Sequence, residues 1–184
     1  MPDALPLTPG TWSFDPAHSG VHFKVRHLGL TNIRGRFKQL TANLVVGDTL
    51  ANTHFDATID IGSLDTNQPD RDGHLLSHDF FAADANPTMT FVSTAIVDKG
   101  DGHYVATGTL TINAVTHPVS LDVEFAGRAV NPADGRERAG FMATTQIMRD
   151  EFGIDFNMPL GIDGFALGKK IDVEIDIQFA APAS

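Results

Sequence analysis

The 184-residue chain has no cysteine, one tryptophan and one tyrosine. Without thiols it can build neither a disulfide framework nor a thiolate metal site, and the redox compartment cannot be read from thiol usage. Positive charge is scarce: 13 Lys and Arg stand against 23 Asp and Glu, a net charge of -10 at pH 7. No Lys/Arg cluster interrupts that excess, which argues against nucleic acid as a partner and against electrostatic docking on an anionic membrane. No segment approaches the roughly 18 apolar residues of a membrane-spanning helix. The stretch MPDALPLTPGTWSFD lacks a basic n-region and an apolar run of signal-peptide length. A cytoplasmic location is therefore expected of the chain as written, and a periplasmic or secreted one if a leader was removed. Catalytic signatures are missing too. There is no Gly-x-Ser-x-Gly, and Gly29 and Gly35 are not part of a Gly-x-x-x-x-Gly-Lys phosphate loop.

What the chain does have is two-residue alternation. Val21, Phe23 and Val25 alternate with His22, Lys24 and Arg26; Phe55, Ala57, Ile59 and Ile61 follow the same period. The cleanest run is Ile171, Val173, Ile175, Ile177 and Phe179 against Asp172, Glu174, Asp176 and Gln178. With 42% hydrophobic residues the chain is expected to form a single domain, residues 11–180, after a flexible tail of residues 1–10 that carries three prolines. Eight or nine strands are expected, beginning with 11–15 and 20–27. Residues 37–46 should form one strand with a bulge near Gln39, where the alternation slips by one. Gly100-Asp101-Gly102 and Asn131 to Gly135 read as hairpin turns, and residues 113–118 as the link between strands 104–112 and 119–125. Closing such a sheet into an antiparallel barrel removes its unpaired edges and leaves an apolar interior. The function is expected in that interior.

Helical spacing replaces alternation in only one place, between Ser63 and Ser93. Asn67 can cap a turn, Pro69 suits an early helical position, and helix is expected over roughly 71–82. Arg71, His74, Leu75 and His78 fall on one side, with Gly73, Leu76 and Phe80 on the other. His74 and His78 have the i,i+4 spacing of metal ligands, but no Glu follows His74 and no third ligand is evident, so no metal is expected. His18 and His22 share the spacing in a strand context, about 13 Å apart and too far to hold one ion. The carboxylates Asp150/Glu151 and Asp70/Asp72 read as turn and capping residues. Arg26 ends a strand on its polar face. It is either an exposed strand-end arginine or a rim cation available to a phosphate or quinone head. Residues 155–169 form an apolar, glycine-rich loop, carrying Phe156, Met158, Leu160, Ile162, Phe165 and Leu167, of the kind that lines or covers a ligand.

The blocks HFKVRHLG, IRGRF, SLDT, RDGHL, SHDFF, NPTMTFVST, GTLTINAVTHPVSLDVEF and GRERAGF occur in an order that resembles the YceI-like family of lipocalin-like polyisoprenoid-binding proteins. The resemblance runs from Thr11 to Phe179. It implies an extended antiparallel lipocalin-like β-barrel of about eight strands with one short helical insertion. It further implies a non-enzymatic carrier that holds a long isoprenoid, a polyprenyl phosphate or a prenylated quinone, in an internal tunnel. No other cofactor is expected. Members are often dimeric and often periplasmic, and transient exchange of the lipid with a membrane follows from the ligand's chemistry.

Carried onto this sequence, the tunnel would be lined by Phe14, Phe23, Val25, Leu44, Phe55 and Ile59 in the first half. Phe91, Leu110, Ile112, Val123, Phe141, Ile147, Val173 and Ile175 would line it in the second. Leu75, Leu76 and Phe80 would close one side, and Arg26 would stand at the rim. An ordinary filled core has the same pattern. Two rival functions remain open: an enzyme acting on a lipid-like substrate, with His27 and a nearby carboxylate as its best candidate pair, and a ligand-free structural or stress-response barrel.

Overall fold

Eight strands close into a ring, and the last strand supplies the seam. The computed structural model describes residues 3–158 and 166–183. Its strands are β1 (Gly10–Phe14), β2 (Gly20–His27), β3 (Thr31–Phe37), β4 (Leu40–Val46), β5 (His54–Asp60) and β6 (Leu64–Asp65), followed after the insertion by β7 (Thr88–Gly100), β8 (His103–Ile112), β9 (Val115–Val130), β10 (Glu137–Met148) and β11 (Leu167–Ala180). The ring order is β1-β4-β5-β7-β8-β9-β10-β11, antiparallel throughout, and β11 returns to β1. One edge of β11 pairs with β10 from Lys170 to Ala180. Its other edge pairs first with β2 and then, through Phe179 and Ala180, with β1. β2, β3 and β6 extend the sheet past the seam as a flap.

β1 and β2 thus form one broken strand, interrupted by a 3-10 turn at Pro16–His18. Asp15 makes the corner. Its carboxylate accepts hydrogen bonds from the Ala17 N–H at 3.0 Å and from Arg138 Nε at 3.4 Å, and pairs with His18 Nδ1 at 3.0 Å. Ser19 Oγ donates to the Asp15 carbonyl and accepts from the Gln178 N–H, which stitches the corner to β11.

The slip at Gln39 is a strand break and not a bulge. Phe37 pairs with Leu64 of β6, whereas Leu40 pairs with Ile59 of β5. Between them the N–H groups of Lys38 and Gln39 donate to the carbonyl and hydroxyl of Ser63. A continuous strand would have turned one of its two apolar sets outward. The break lets Phe37, Ala42, Leu44 and Val46 all be buried.

β9 starts earlier than its apolar pattern suggests. Asn113 and Ala114 both adopt positive φ, 53° and 60°, and make a two-residue hairpin turn. Pro118 is tolerated inside the strand because β9 pairs there only with β8; pairing with β10 begins at Asp122.

The insertion carries α1 (Pro69–Leu76), the only α-helix among the described residues. Its cap is Gln68, whose Oε1 accepts from the Arg71 N–H at 2.8 Å; Asn67, at φ 62°, shapes the turn before it. The helix stops at Leu76, where the Ser77 N–H and hydroxyl both bond the His74 carbonyl, and Ala82 at φ 46° belongs to the loop that follows. Phe81 meets Phe37 edge-on with ring centres 6.0 Å apart, docking the insertion on β3.

The segment before β1 is not a loose tail over its described residues. Leu5 and Leu7 are only 7% exposed and pack with Trp12, Leu44, Leu50 and Phe179. The Asp3 and Thr8 carbonyls accept from the Leu50 N–H and the Trp12 indole. Burial of the two leucines, at about 1.5–3 kcal/mol each, offsets part of the cost of ordering the segment, a cost already lowered by the prolines that restrict its backbone. Together these residues plug the end of the barrel where β1 meets β11.

Burial alone would raise the Asp15 pKa, but the bonds and charge of His18, the Ala17 N–H and Arg138 outweigh it and hold the carboxyl below its ordinary value. A carboxyl depressed by folding adds stability above its unfolded pKa and loses that contribution as the pH falls through its folded pKa. The loss of thermal midpoint caused by Asp15→Asn is therefore expected to be largest at neutral pH and to shrink as the pH falls through the aspartate range. A penalty independent of pH between 7 and 3 would show that the corner does not depend on the ionised carboxylate.

Candidate functional site

The interior of the ring is short of side-chain volume. Ala57 on β5 leaves room in the main space, while Ala106 and Ala143 on β8 and β10 leave room in a smaller void beyond it. Two glycines act in a different way. A Cβ on Gly35 would lie 2.4 Å from Phe23 Cζ, and one on Gly108 would lie 2.6 Å from Phe91 Cζ. These two phenyl rings therefore rest against the barrel wall, in space that any larger residue would deny them. The result is an apolar cavity of about 660 Å³, within the 300–1,000 Å³ usual for ligand sites. Val21, Phe23 and Val25 of β2, Ile59, Phe91, Leu110 and Ile112, and Ile171, Val173, Ile175 and Ile177 of β11 form its wall. Leu75, Phe80 and Phe81 of the insertion and Phe152, Ile154 and Phe156 of the β10–β11 connection close it.

No Asp or Glu lines this cavity among the described residues, although acids outnumber bases in the chain. The charged lining groups are Arg34, Arg71 and Arg149, joined by His27 and His74.

Arg149 is 5% exposed and has no carboxylate partner among the described residues. Its guanidinium instead donates to four backbone carbonyls: Ile154 and Phe156 through Nη1 at 2.9 Å, Gly168 through Nε at 2.9 Å, and Leu167 through Nη2 at 3.4 Å. It ties the strand that leaves the barrel to the strand that re-enters. Burial pushes its pKa down, and the charges of Asp150 and Asp155 oppose that shift.

Arg71 sits in a smaller network at the other side of the opening. Its Nε donates to Thr66 Oγ1 and its Nη2 to the Thr66 carbonyl, both at 2.8 Å, while the Thr66 hydroxyl donates to Asp72. Nη1 of Arg71 makes no protein hydrogen bond among the described residues. The two networks meet through rings. His74, one turn after Arg71, lies edge-on to Phe80 and Phe156 at 5.2 and 5.1 Å between ring centres. His74 pairs with Asp79 at 2.8 Å and His78 with Asp84 at 3.1 Å, so the two histidines point to separate carboxylates.

Residues 12–179 match the family model for the YceI-like domain. The chain belongs to the YceI-like family. A UPF0312 protein of Staphylococcus epidermidis is 39% identical over 171 residues, covering 92% of this chain and 96% of its own. The Campylobacter jejuni YceI protein has a similar structure, with a TM-score of 0.72 at 30% identity over 87% of this chain and 91% of that one. A polyisoprenoid binding domain from Saccharophagus degradans implicated in plant cell wall breakdown shares the fold, with a TM-score of 0.67 at 14% identity over 95% of this chain and all of that one.

The structure sorts the residues expected to line a YceI-like tunnel into three groups. Phe23, Val25, Phe55, Ile59, Leu75, Phe80, Phe91, Leu110, Ile112, Ile147, Val173 and Ile175 line the main cavity. Leu44, Val123 and Phe141 face a separate void of about 80 Å³ toward the plugged end. Phe14, Leu76 and Arg26 line neither. Phe14 packs edge-on against Phe179 in the plug, and Leu76 packs behind the wall against its neighbours. Arg26 is exposed on the outer side of β2, because the same alternation that turns Val25 inward turns it out.

The sequence reading missed Arg34, Arg71 and Arg149 as lining cations and Phe152 and Ile154 as wall residues. Of the apolar loop, Phe156, Met158 and Leu167 line the opening, while Leu160, Ile162 and Phe165 lie outside the described residues. His27 has no ion-pair partner among the described residues.

Replacing Arg149 with Met strips four carbonyls of a donor. Denaturant unfolding should register a loss of about 1–3 kcal/mol for each carbonyl left buried and unpaired. Arg149→Lys should recover only part of it, since an ammonium cannot span the same four acceptors. Stability equal to wild type in Arg149→Met would remove the clamp from this account.

Proposed function

We propose that the protein binds a lipid with a long isoprenoid tail in the main cavity, a prenylated quinone or a polyprenyl phosphate, and does not alter it chemically. The observation that carries this reading is the apolar cavity of about 660 Å³, enclosed by the barrel and free of carboxylates among its described residues. A barrel that served structure alone would gain by filling such a space, because each missing contact costs stability. Family membership and the shared fold of the polyisoprenoid binding domain from Saccharophagus degradans support the isoprenoid as the class of tail.

The energetics determine how such a carrier works. At about 0.8 kcal/mol per buried carbon, one five-carbon unit removed from water is worth roughly 3–4 kcal/mol. A tail of several units is then held firmly against water. Against a bilayer, where the tail already sits in hydrocarbon, the net difference is near zero. Lipid exchange with a membrane is therefore feasible while loss to water is not, and selectivity falls to the length of the cavity and to the polar groups at its opening. Both proposed head groups present acceptor oxygens, and Arg71 has Nη1 donors to offer them.

Mass spectrometry of an organic extract of the purified protein should find an isoprenoid lipid, and incubation with a prenylated quinone should return the quinone unchanged. A modified product would convert the reading to an enzyme. Val173→Trp puts bulk into space assigned to the tail, so it should weaken quinone binding steeply with little change in the stability of the empty protein. Glu174→Trp, on the exposed side of the same strand, should change neither. If Val173→Trp instead costs the 1–3 kcal/mol or so of an overpacked core and the extract holds no lipid, the interior is a solid core.

A further inference from the structure

The main cavity stops short of the plug at a thin wall. Phe55, Leu121, Ile175 and Ile177 line both the main cavity and the void of about 80 Å³ beyond it. Leu121 and the two isoleucines come from β9 and β11, and Phe55 is the one aromatic residue of the four and the one contributed by β5. Its ring stands between two others, with centroids 6.0 Å from Phe91, which lines the main cavity, and 6.3 Å from Phe179, which lines the void. Its backbone is held where the β7–β8 register shifts, the Phe55 N–H donating to Ser93 Oγ at 2.9 Å. The far void is apolar, too small for more than a few waters at about 30 Å³ each, and offers them few polar partners. It has no use as a separate site, but it is positioned to receive the end of a chain entering from the main cavity.

We infer that Phe55 is the partition that sets the longest tail the cavity accepts, and that the void behind it is a subsite for the last isoprenoid unit of a longer lipid. The inference rests on the binding reading above. A phenyl ring and one branched five-carbon unit are similar in bulk, so removing the ring and joining the two spaces makes room for about one further unit before the plug at Trp12, Leu5 and Phe179 stops the chain. Tail length is thereby measured by one side chain and not by the barrel as a whole.

The test is competition. Wild type is incubated with vesicles holding equal amounts of prenylated quinones that differ by one isoprenoid unit, and the retained species are read by native mass spectrometry. Wild type should show a sharp upper cut-off in tail length, and Phe55→Ala should move that cut-off up by at least one unit. Adding Ala106→Leu, on β8 and facing only the far void, should move it back. Should Phe55→Ala fail to fold, Phe55→Leu keeps a smaller partition, and the longest species taken up by wild type should become more abundant relative to shorter ones. An unchanged length distribution in a folded Phe55 variant, or no cut-off in wild type, overturns the partition while leaving the binding reading intact. If wild type retains no member of the series, the binding reading fails and the partition with it.

Discussion

The structure depends on both edges of β11 being satisfied. This fourteen-residue strand pairs with β10 from Lys170 to Ala180 along one side and with β2 and β1 in turn along the other, so the ring has no free edge at its seam. The two-residue period then places Ile171, Val173, Ile175, Ile177 and Phe179 along the interior in order, from the opening to the plug. A slip of one residue would exchange this series for Asp172, Glu174, Asp176 and Gln178. Four outward polar residues and five inward apolar ones therefore set the register, the closure and one wall of the cavity together.

Whether the closed ring is solid or hollow is decided by small residues. Ala57 leaves room in the main cavity and Ala106 and Ala143 in the far void, and Gly35 and Gly108 let Phe23 and Phe91 lie back against the wall. Polar groups follow the same division. The acids that give the chain its net charge of -10 stay off the described lining, while two arginines serve the opening through networks of their own. Arg149 uses carbonyl dipoles in place of a counter-ion, an arrangement that fixes the shape of the opening without bringing a negative charge into it.

Much of this was legible in the alternation. Most strand positions, the turns at 100–102 and 131–135 and the inward faces of β2, β5 and β11 follow from it, as does the irregularity at Gln39, although the slip could equally have been a bulge. β3 does not, because Gly35 interrupts its apolar set, and neither does the tight β8–β9 turn. Depth was not legible. Periodicity says which way Phe14, Leu44 and Phe141 point but not whether their level of the barrel is cavity, void or plug, because that depends on which strands lie opposite. Arg149 was hidden for a similar reason: it sits among Asp150 and Glu151 in what reads as a solvated turn, and four of its ligands are backbone atoms up to 19 residues away. Leu5 and Leu7 are too few to show a period, so nothing local distinguishes them from a proline-rich tail.

The scarcity of tryptophan and tyrosine gives the barrel two separate optical probes. Trp12, 1% exposed, belongs to the plug and borders neither cavity, so its emission follows the integrity of the fold. Tyr104 lines the far void, and burial, reinforced by Asp98, pushes its phenol pKa up. Its absorbance therefore reports on the innermost space, while the indole reports on the fold.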